Sequence, residues 1–219
     1  MEAVSESVED YLKCVWILEH AGGATTSGVA ERLQVSAASV TAMVKKLARL
    51  GLVEHEPYRG VALTPAGTRM ALEVIRHHRL LELYLMQALG LPWDEVHKEA
   101  ERLEHYLSEE LEARIDAALG HPTRDPHGDP IPSAELELAG VDDRPLSDLA
   151  DGASAIVRRV PDGDPELLRY LAELGIVPTE PVVVISRAPF DGPLTVEVGG
   201  RAHALSPALA QRILVGGPG

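Results

Sequence analysis

Thiols, basic residues and long apolar runs are all scarce in this chain, and each shortage excludes something. Cys14 is the single cysteine among 219 residues, so an intrachain disulfide framework and a multi-thiolate zinc site within one chain are both excluded. No apolar run approaches the roughly 18 residues that a membrane span needs, and no cationic stretch followed by an apolar one opens the chain. A cytoplasmic protein without membrane contact is therefore expected. The 20 Lys+Arg face 34 Asp+Glu, a formal net charge of −14, and the lysines are confined to Lys13, Lys45, Lys46 and Lys98. Taken over the whole chain, that balance argues against nucleic acid, whose protein partners are usually basic.

What is present suits a globular protein of one to three modest domains, with 45% hydrophobic and 25% charged residues and enough length to bury a core. Val8, Tyr11, Leu12, Val15, Trp16 and Leu18 recur at helical spacing and predict a first helix over 7–20. A short second helix capped by Thr25 or Thr26 and a third over 36–50, stopped by Gly51, follow. Residues 52–64 alternate as two short strands around a turn at 57–60. Thr64 as N-cap and Pro65 at the first helical position open a long helix to about Leu89. One continuous helix is expected over about 94–119. HPTRDPHGDPIP, residues 121–132, reads as a linker or a structured crossing because helices do not survive such proline density. From 145 onward, short β-type runs surround one helix, PELLRYLAEL, stopped by Gly175, which suggests a small barrel. The expected fold is mainly α with a C-terminal small β-barrel.

Helix, three-residue turn, helix and hairpin make a winged helix-turn-helix. Ser36, Ala37, Ala38, Ser39, Thr41 and Ala42 form a small, polar N-terminal face on the third helix, able to enter a major groove. Lys45, Lys46, Arg49 and, at the hairpin tip, Arg59 offer phosphate contacts. Charge is segregated along the chain. Residues 26–63 carry five basic and three acidic groups, 66–120 six and eleven, and 121–219 eight and fifteen. The negative charge therefore lies away from the candidate reading head.

Six of the nine histidines fall between 77 and 127. On the helix predicted from 94, His97, Glu101 and His105 are spaced i, i+4, i+8 with Glu104 beside them, so all four would share one face. His78 and Glu82 repeat the i, i+4 pattern on the preceding helix, and two such helices can enclose a divalent ion. Asp10 could add a carboxylate from the DNA-binding segment itself. Oxygen and nitrogen donors without thiolate favour Mn²⁺ or Fe²⁺. His77 and His121 read as surface residues, and Cys14 as buried packing. A metal-dependent hydrolase would use similar ligands but needs a general base in a substrate cleft, for which the sequence offers no candidate. A winged-helix regulator with the barrel as small-molecule sensor is the other alternative.

SVEDYL, VSAASVTAMVKKLARLGLVEHEPYRGVALTPAG, HHRLLELYL, VHKEAERLEHYLSEELEARID and DPHGDPIP occur in this order. Together they resemble the DtxR/MntR family of metal-dependent transcriptional repressors in its three-domain form, with a last segment that looks like an SH3-like (FeoA-type) domain. The resemblance implies a winged helix-turn-helix over 1–65, a helical metal-binding and dimerisation domain over 66–122, a proline-rich linker over 123–144 and the SH3-like domain over 145–219. It implies a non-enzymatic, Mn²⁺-responsive repressor of metal-uptake genes, with Fe²⁺ as the alternative effector, acting as a homodimer on a palindromic double-stranded DNA operator. Its primary metal site would fall on Asp10, His78, Glu101, Glu104 and His105. Iron-type members have a Met and a Cys where this chain has Asp10 and Glu101, which is what manganese-type members look like. Lys13 stands where two-domain manganese regulators have a Glu, so a closely spaced two-metal cluster is not expected. A second site would combine Glu82, Asp125, His127 and Asp164, with Glu166 as a substitute for the last, and His97 matches an ancillary ligand.

Overall fold

The fold comes from a computed structural model that describes residues 5–56, 60–140 and 142–217. The chain forms two compact units. The first comprises residues up to 78 with 103–108 and 132–137; the second comprises 79–102, 109–131 and 138 onward.

In the first unit, α1 (Glu6–His20) buries Val8, Tyr11, Leu12, Cys14, Val15 and Trp16. This is the stripe that the 3.6-residue period implies. Thr25 caps α2 (Thr26–Arg32) by accepting from the Gly28 N–H, and Ser36 caps α3 (Ala37–Arg49) by accepting from that of Ser39. Each cap satisfies an N–H that the helix geometry leaves unpaired. Val29, Val40, Val44, Leu47, Leu52, Val53 and Val61 are all buried, each worth about 1.5–3 kcal/mol of transfer free energy for the larger side chains. Strands β1 (Val53–Glu56) and β2 (Gly60–Leu63) pair antiparallel, Val53 opposite Leu63. Thr64 opens α4 (Pro65–Leu89) as expected, its hydroxyl donating to the Gly51 carbonyl and accepting from the Gly67 N–H.

The helix expected over 94–119 is broken. Helix α5 (Val96–Leu103) passes into a 3-10 turn at Glu104–Tyr106, and Leu107 is extended (φ −75°, ψ 118°) before α6 (Glu109–Ala118) begins. An extended residue cannot continue the i→i+4 ladder. Glu104 and His105 themselves lie in the 3-10 turn, whose i→i+3 bonds break the 3.6-residue spacing that would have continued from His97 and Glu101.

In the second unit a six-stranded antiparallel sheet has the order β3-β8-β4-β5-β6-β7. The strands are β3 (Arg144–Pro145), β4 (Ser154–Arg159), β5 (Pro181–Arg187), β6 (Leu194–Val198), β7 (Arg201–Leu205) and β8 (Leu214–Gly216). Val157, Val182, Val184, Val196, Leu205 and Val215 are turned into its core, against Leu168, Leu171 and Ile176. Among the described residues β7 does not pair with β3, so the expected small barrel takes the form of a barrel-like sheet that does not close. Helix α7 (Pro165–Leu174) ends at Gly175, whose φ of 74° is left-handed, a conformation that glycine adopts without steric cost. A short α8 (Pro207–Arg212), capped by Ser206, was not anticipated. No described helix is long and apolar enough to cross a membrane.

Candidate metal centres and nucleic-acid interface

Within the first unit, α1 presents Glu6, Glu9, Asp10 and Lys13 toward the 3-10 turn that carries Glu104, His105 and Tyr106. His105 is held among three carboxylates: Nδ1 lies 2.6 Å from Glu9 Oε2, and Nε2 lies 3.1 Å from Asp10 Oδ1 and 3.6 Å from Glu104 Oε1. One ligand atom from each of Asp10, Glu104 and His105 falls within 4.8 Å of the others. Glu104 is 1% exposed; its Oε2 is 2.5 Å from His78 Nδ1. Lys13 Nζ donates to both Glu104 oxygens, at 2.9 and 2.8 Å, and lies 3.1 Å from His78 Nδ1. Burial opposes ionisation of Glu104, but His78 and Lys13 outweigh it and hold its pKa below the usual carboxylate value. Burial raises the pKa of Asp10, with His105 and Lys13 acting against it. The Tyr106 hydroxyl donates to Glu6.

Glu9 was absent from the expected site. Its contact with Nδ1 orients the ring and turns Nε2 toward Asp10 and Glu104, the arrangement by which a carboxylate positions a metal-ligating imidazole. Its only sequence signal is its place beside Asp10. His77 is buried rather than on the surface, its Nδ1 3.0 Å from the Glu104 carbonyl oxygen, because α4 turns that position inward. His121 is exposed and pairs with Asp116. Cys14 is buried as expected, and burial pushes its thiol up to about 11. Glu101 lies in the second unit, on α5. Its side chain is 56% exposed, with one oxygen 3.4 Å from His97 Nε2.

The second unit builds a different cluster. The DPHGDP segment is a packed crossing, not a flexible linker: Asp125, Pro126, His127 and Gly128 are all buried. Asp125 Oδ1 accepts from the N–H groups of His127 and Asp129, both at 2.9 Å, an Asx turn that sets the loop. Gly128 has φ +93°, and a Cβ there would lie 1.9 Å from the Arg158 carbonyl oxygen, so only glycine lets the loop meet β4. The His127 carbonyl then accepts from Val160 N–H at 2.9 Å. Arg79 binds the other side, donating to the Pro130 carbonyl at 2.5 Å and to Asp129 at 3.1 Å.

His127 Nε2 lies 2.8 Å from the Trp93 carbonyl oxygen. A carbonyl can only accept, so Nε2 carries the proton of this bond. His127 Nδ1 is buried with no hydrogen-bond partner among the described residues and faces Glu82 Oε2 at 3.8 Å. Ligand atoms of Glu82, His127 and Asp162 lie within 4.8 Å of one another. Burial disfavours charge on His127, yet Glu82 and Asp125 overcome it and raise its pKa to about 9. Burial, with Glu82 and Asp129 nearby, pushes Asp125 far up, against Arg79. His97 is raised to about 10 because Glu101 and Glu82 outweigh its burial, and its Nδ1 is 3.0 Å from Glu82 Oε1. A buried surplus of carboxylates around an orphaned imidazole nitrogen fits a cation.

Asp164 is not part of this cluster. It caps α7, accepting from the Glu166 and Leu167 N–H groups, and Glu166 is exposed on the first turn. Asp162 takes the expected place because a proline-led helix demands a capping side chain at 164, leaving the acid two residues earlier to face inward. The sequence signal that separates the two is Pro165, because an acid directly before a helix-opening proline reads as an N-cap.

On α3, Ser36, Ala37, Ala38, Ser39, Thr41, Ala42, Lys45, Lys46 and Arg49 are all exposed, opposite the buried Val40, Val44 and Leu47. Ser36 Oγ is committed to the cap and Thr41 Oγ1 donates to the Ala37 carbonyl at 2.8 Å. Arg59 lies outside the described residues.

A helix-turn-helix with hairpin, joined to helical carboxylate and imidazole clusters, defines a metal-dependent transcriptional repressor. Residues 3–61 match the description "Iron dependent repressor, N-terminal DNA binding domain", 64–133 "Iron dependent repressor, metal binding and dimerisation domain", and 144–216 "FeoA domain". The chain is 34% identical to the iron-dependent repressor IdeR of Mycobacterium tuberculosis, over 94% of this chain and 95% of that protein. It resembles a solved manganese-dependent transcriptional repressor in complex with manganese at 42% identity, TM-score 0.89, covering 96% of this chain and 100% of the other. It also resembles the manganese regulator SloR at 31% identity, TM-score 0.80, covering 96% and 98%. The chain belongs to the DtxR/MntR family of iron- and manganese-dependent repressors.

Proposed function

We propose that this repressor is cytoplasmic, responds to Mn²⁺, and acts as a homodimer on a palindromic operator to control metal-uptake genes. The observation that carries the choice of metal is the donor set. Asp10, Glu104, His105 and His78 offer carboxylate oxygens and imidazole nitrogens without sulfur, which suits a hard ion. The 42% identical manganese-dependent repressor supports it. Fe²⁺ is the second reading, favoured by relatives named iron-dependent repressors. Glu82, His127 and Asp162, beside Asp125, are proposed as a second site, with His97 next to it. The exposed face of α3, with Lys45 and Lys46, is proposed to contact DNA, and Arg59 to reach phosphate.

A bound cation would supply positive charge shared by α1 and the 104–106 turn. Asp10 and Glu104 would lose their mutual repulsion, Glu9 would hold the His105 ring, and α1 would be fixed against the turn. Such an ion shifts the protein toward the DNA-competent state only if it binds that state more tightly. An operator selected from random DNA in the presence of Mn²⁺ provides the probe. Fluorescence anisotropy with Mn²⁺, with Fe²⁺ under anaerobic conditions, and with chelator should then show tight binding with Mn²⁺ and loss with chelator. Equal affinity in metal and chelator would overturn the reading, and a preference for Fe²⁺ would replace the manganese assignment.

A further inference from the structure

Lys13 touches the expected ligands of the first cluster, yet the metal reading gives it no role. Its ammonium has three N–H donors, and three atoms surround it: both Glu104 oxygens, at 2.9 and 2.8 Å, and His78 Nδ1 at 3.1 Å. The Lys13 side chain is 13% exposed and that of Glu104 1%, so the charges meet with little water between or around them. A carboxylate buried so deeply is costly without a positive partner. Here that partner comes from the chain.

Resting on the reading that Asp10, Glu104, His105 and His78 hold a divalent ion, we propose that Lys13 is a tethered counter-cation that neutralises this site in the metal-free protein and has to be displaced when the ion binds. The reason is competition for the same donor atoms. A divalent ion about 2.1 Å from a Glu104 oxygen would stand within about 5 Å of an ammonium still hydrogen-bonded to that oxygen, where screening by solvent is weak. Lys13 thereby sets the metal concentration at which the protein responds. It also ties α1 to the 104–106 turn before any metal arrives, so the ion replaces one tie with another. A lysine that merely buttresses the fold would support the metal-free and loaded proteins alike.

The test uses the full chain stripped with chelator and titrated calorimetrically with MnCl₂ alone. Lys13→Met, which keeps the stem and removes the charge, should bind Mn²⁺ at least about tenfold more tightly, or about 1.4 kcal/mol, while its metal-free form melts at a lower temperature. Lys13→Arg should stay within about threefold of the parent, and Glu104→Gln should bind Mn²⁺ much more weakly. If Lys13→Met binds no more tightly while Glu104→Gln is impaired, the counter-cation role is wrong and the metal site stands. If Glu104→Gln also binds normally, both fall. Acetylation of the unmutated protein, read by mass spectrometry at its four lysines, gives a second measurement independent of folding of the variants. Lys13 labelling should rise several-fold on Mn²⁺ addition, and equal or lower labelling overturns displacement.

Discussion

Replacing Glu104 by Gln is the perturbation on which the geometry speaks most directly. The substitution keeps the shape and one acceptor oxygen but removes the charge that faces Lys13 and His78, with Glu104 only 1% exposed. Breaking a buried pair by removing one partner costs about 3–5 kcal/mol, because the remaining charge is left unpaired. Lys13, at 13% exposed, regains some hydration, and the amide still accepts a hydrogen bond, so about 2–4 kcal/mol is expected for the metal-free first unit. With a urea slope of about 2 kcal/mol/M, the unfolding midpoint should fall by about 1–2 M. The two tryptophans are divided between the units, Trp16 in the first and Trp93 in the second. A Trp93→Phe background therefore lets Trp16 fluorescence follow the first unit alone. An unchanged midpoint would refute the claim that the Lys13–Glu104 pair holds α1 to the turn. Retained Mn²⁺-dependent DNA binding would refute Glu104 as a ligand.

Asp162→Ala and Asp164→Ala should separate cleanly. The first should remove one bound Mn²⁺ per chain by calorimetry; the second should keep the stoichiometry and cost about 1 kcal/mol as a lost helix cap. The reverse outcome would return the site to Asp164. Gly128→Ala should destabilise the second unit by about 3 kcal/mol or more, since it combines a left-handed φ with a clash against the Arg158 carbonyl; a melting temperature near that of the parent would contradict the close packing of the loop on β4. The Cys14 thiol, raised to about 11, should be roughly one part in a thousand thiolate at pH 8 and react with an aromatic disulfide reagent only on unfolding. Rapid labelling of the folded protein would contradict its burial.

The helix-turn-helix was readable because its signals are local. Thr25, Ser36 and Thr64 cap helices from within four residues, and the apolar period of α1 and α3 marks the buried stripe. The strands from 154 onward were readable through alternation, but β3 and β8 are too short to show a pattern of their own. The metal residues were recognisable by type and less so by grouping. A single helix over 94–119 would have put His97, Glu101, Glu104 and His105 on one face. Instead, Glu104 and His105 lie on a 3-10 turn, where His105 meets α1, and Glu101 lies on α5 beside His97.

By itself, then, the order of residues determined helices α1 to α4 and α7, their caps, the exposed reading face and the supply of hard donors, since each depends on neighbours a few positions apart. Tertiary structure decided which donors meet. It brought Glu9 to His105, Asp162 rather than Asp164 to His127 and Glu82, and Lys13 to Glu104 across 91 positions of sequence. Such pairings follow from where a helix ends and which way the chain turns next, and no local period or spacing encodes them. The shortage of positive charge belongs to the same account: one of only four lysines lies against the buried Glu104 carboxylate.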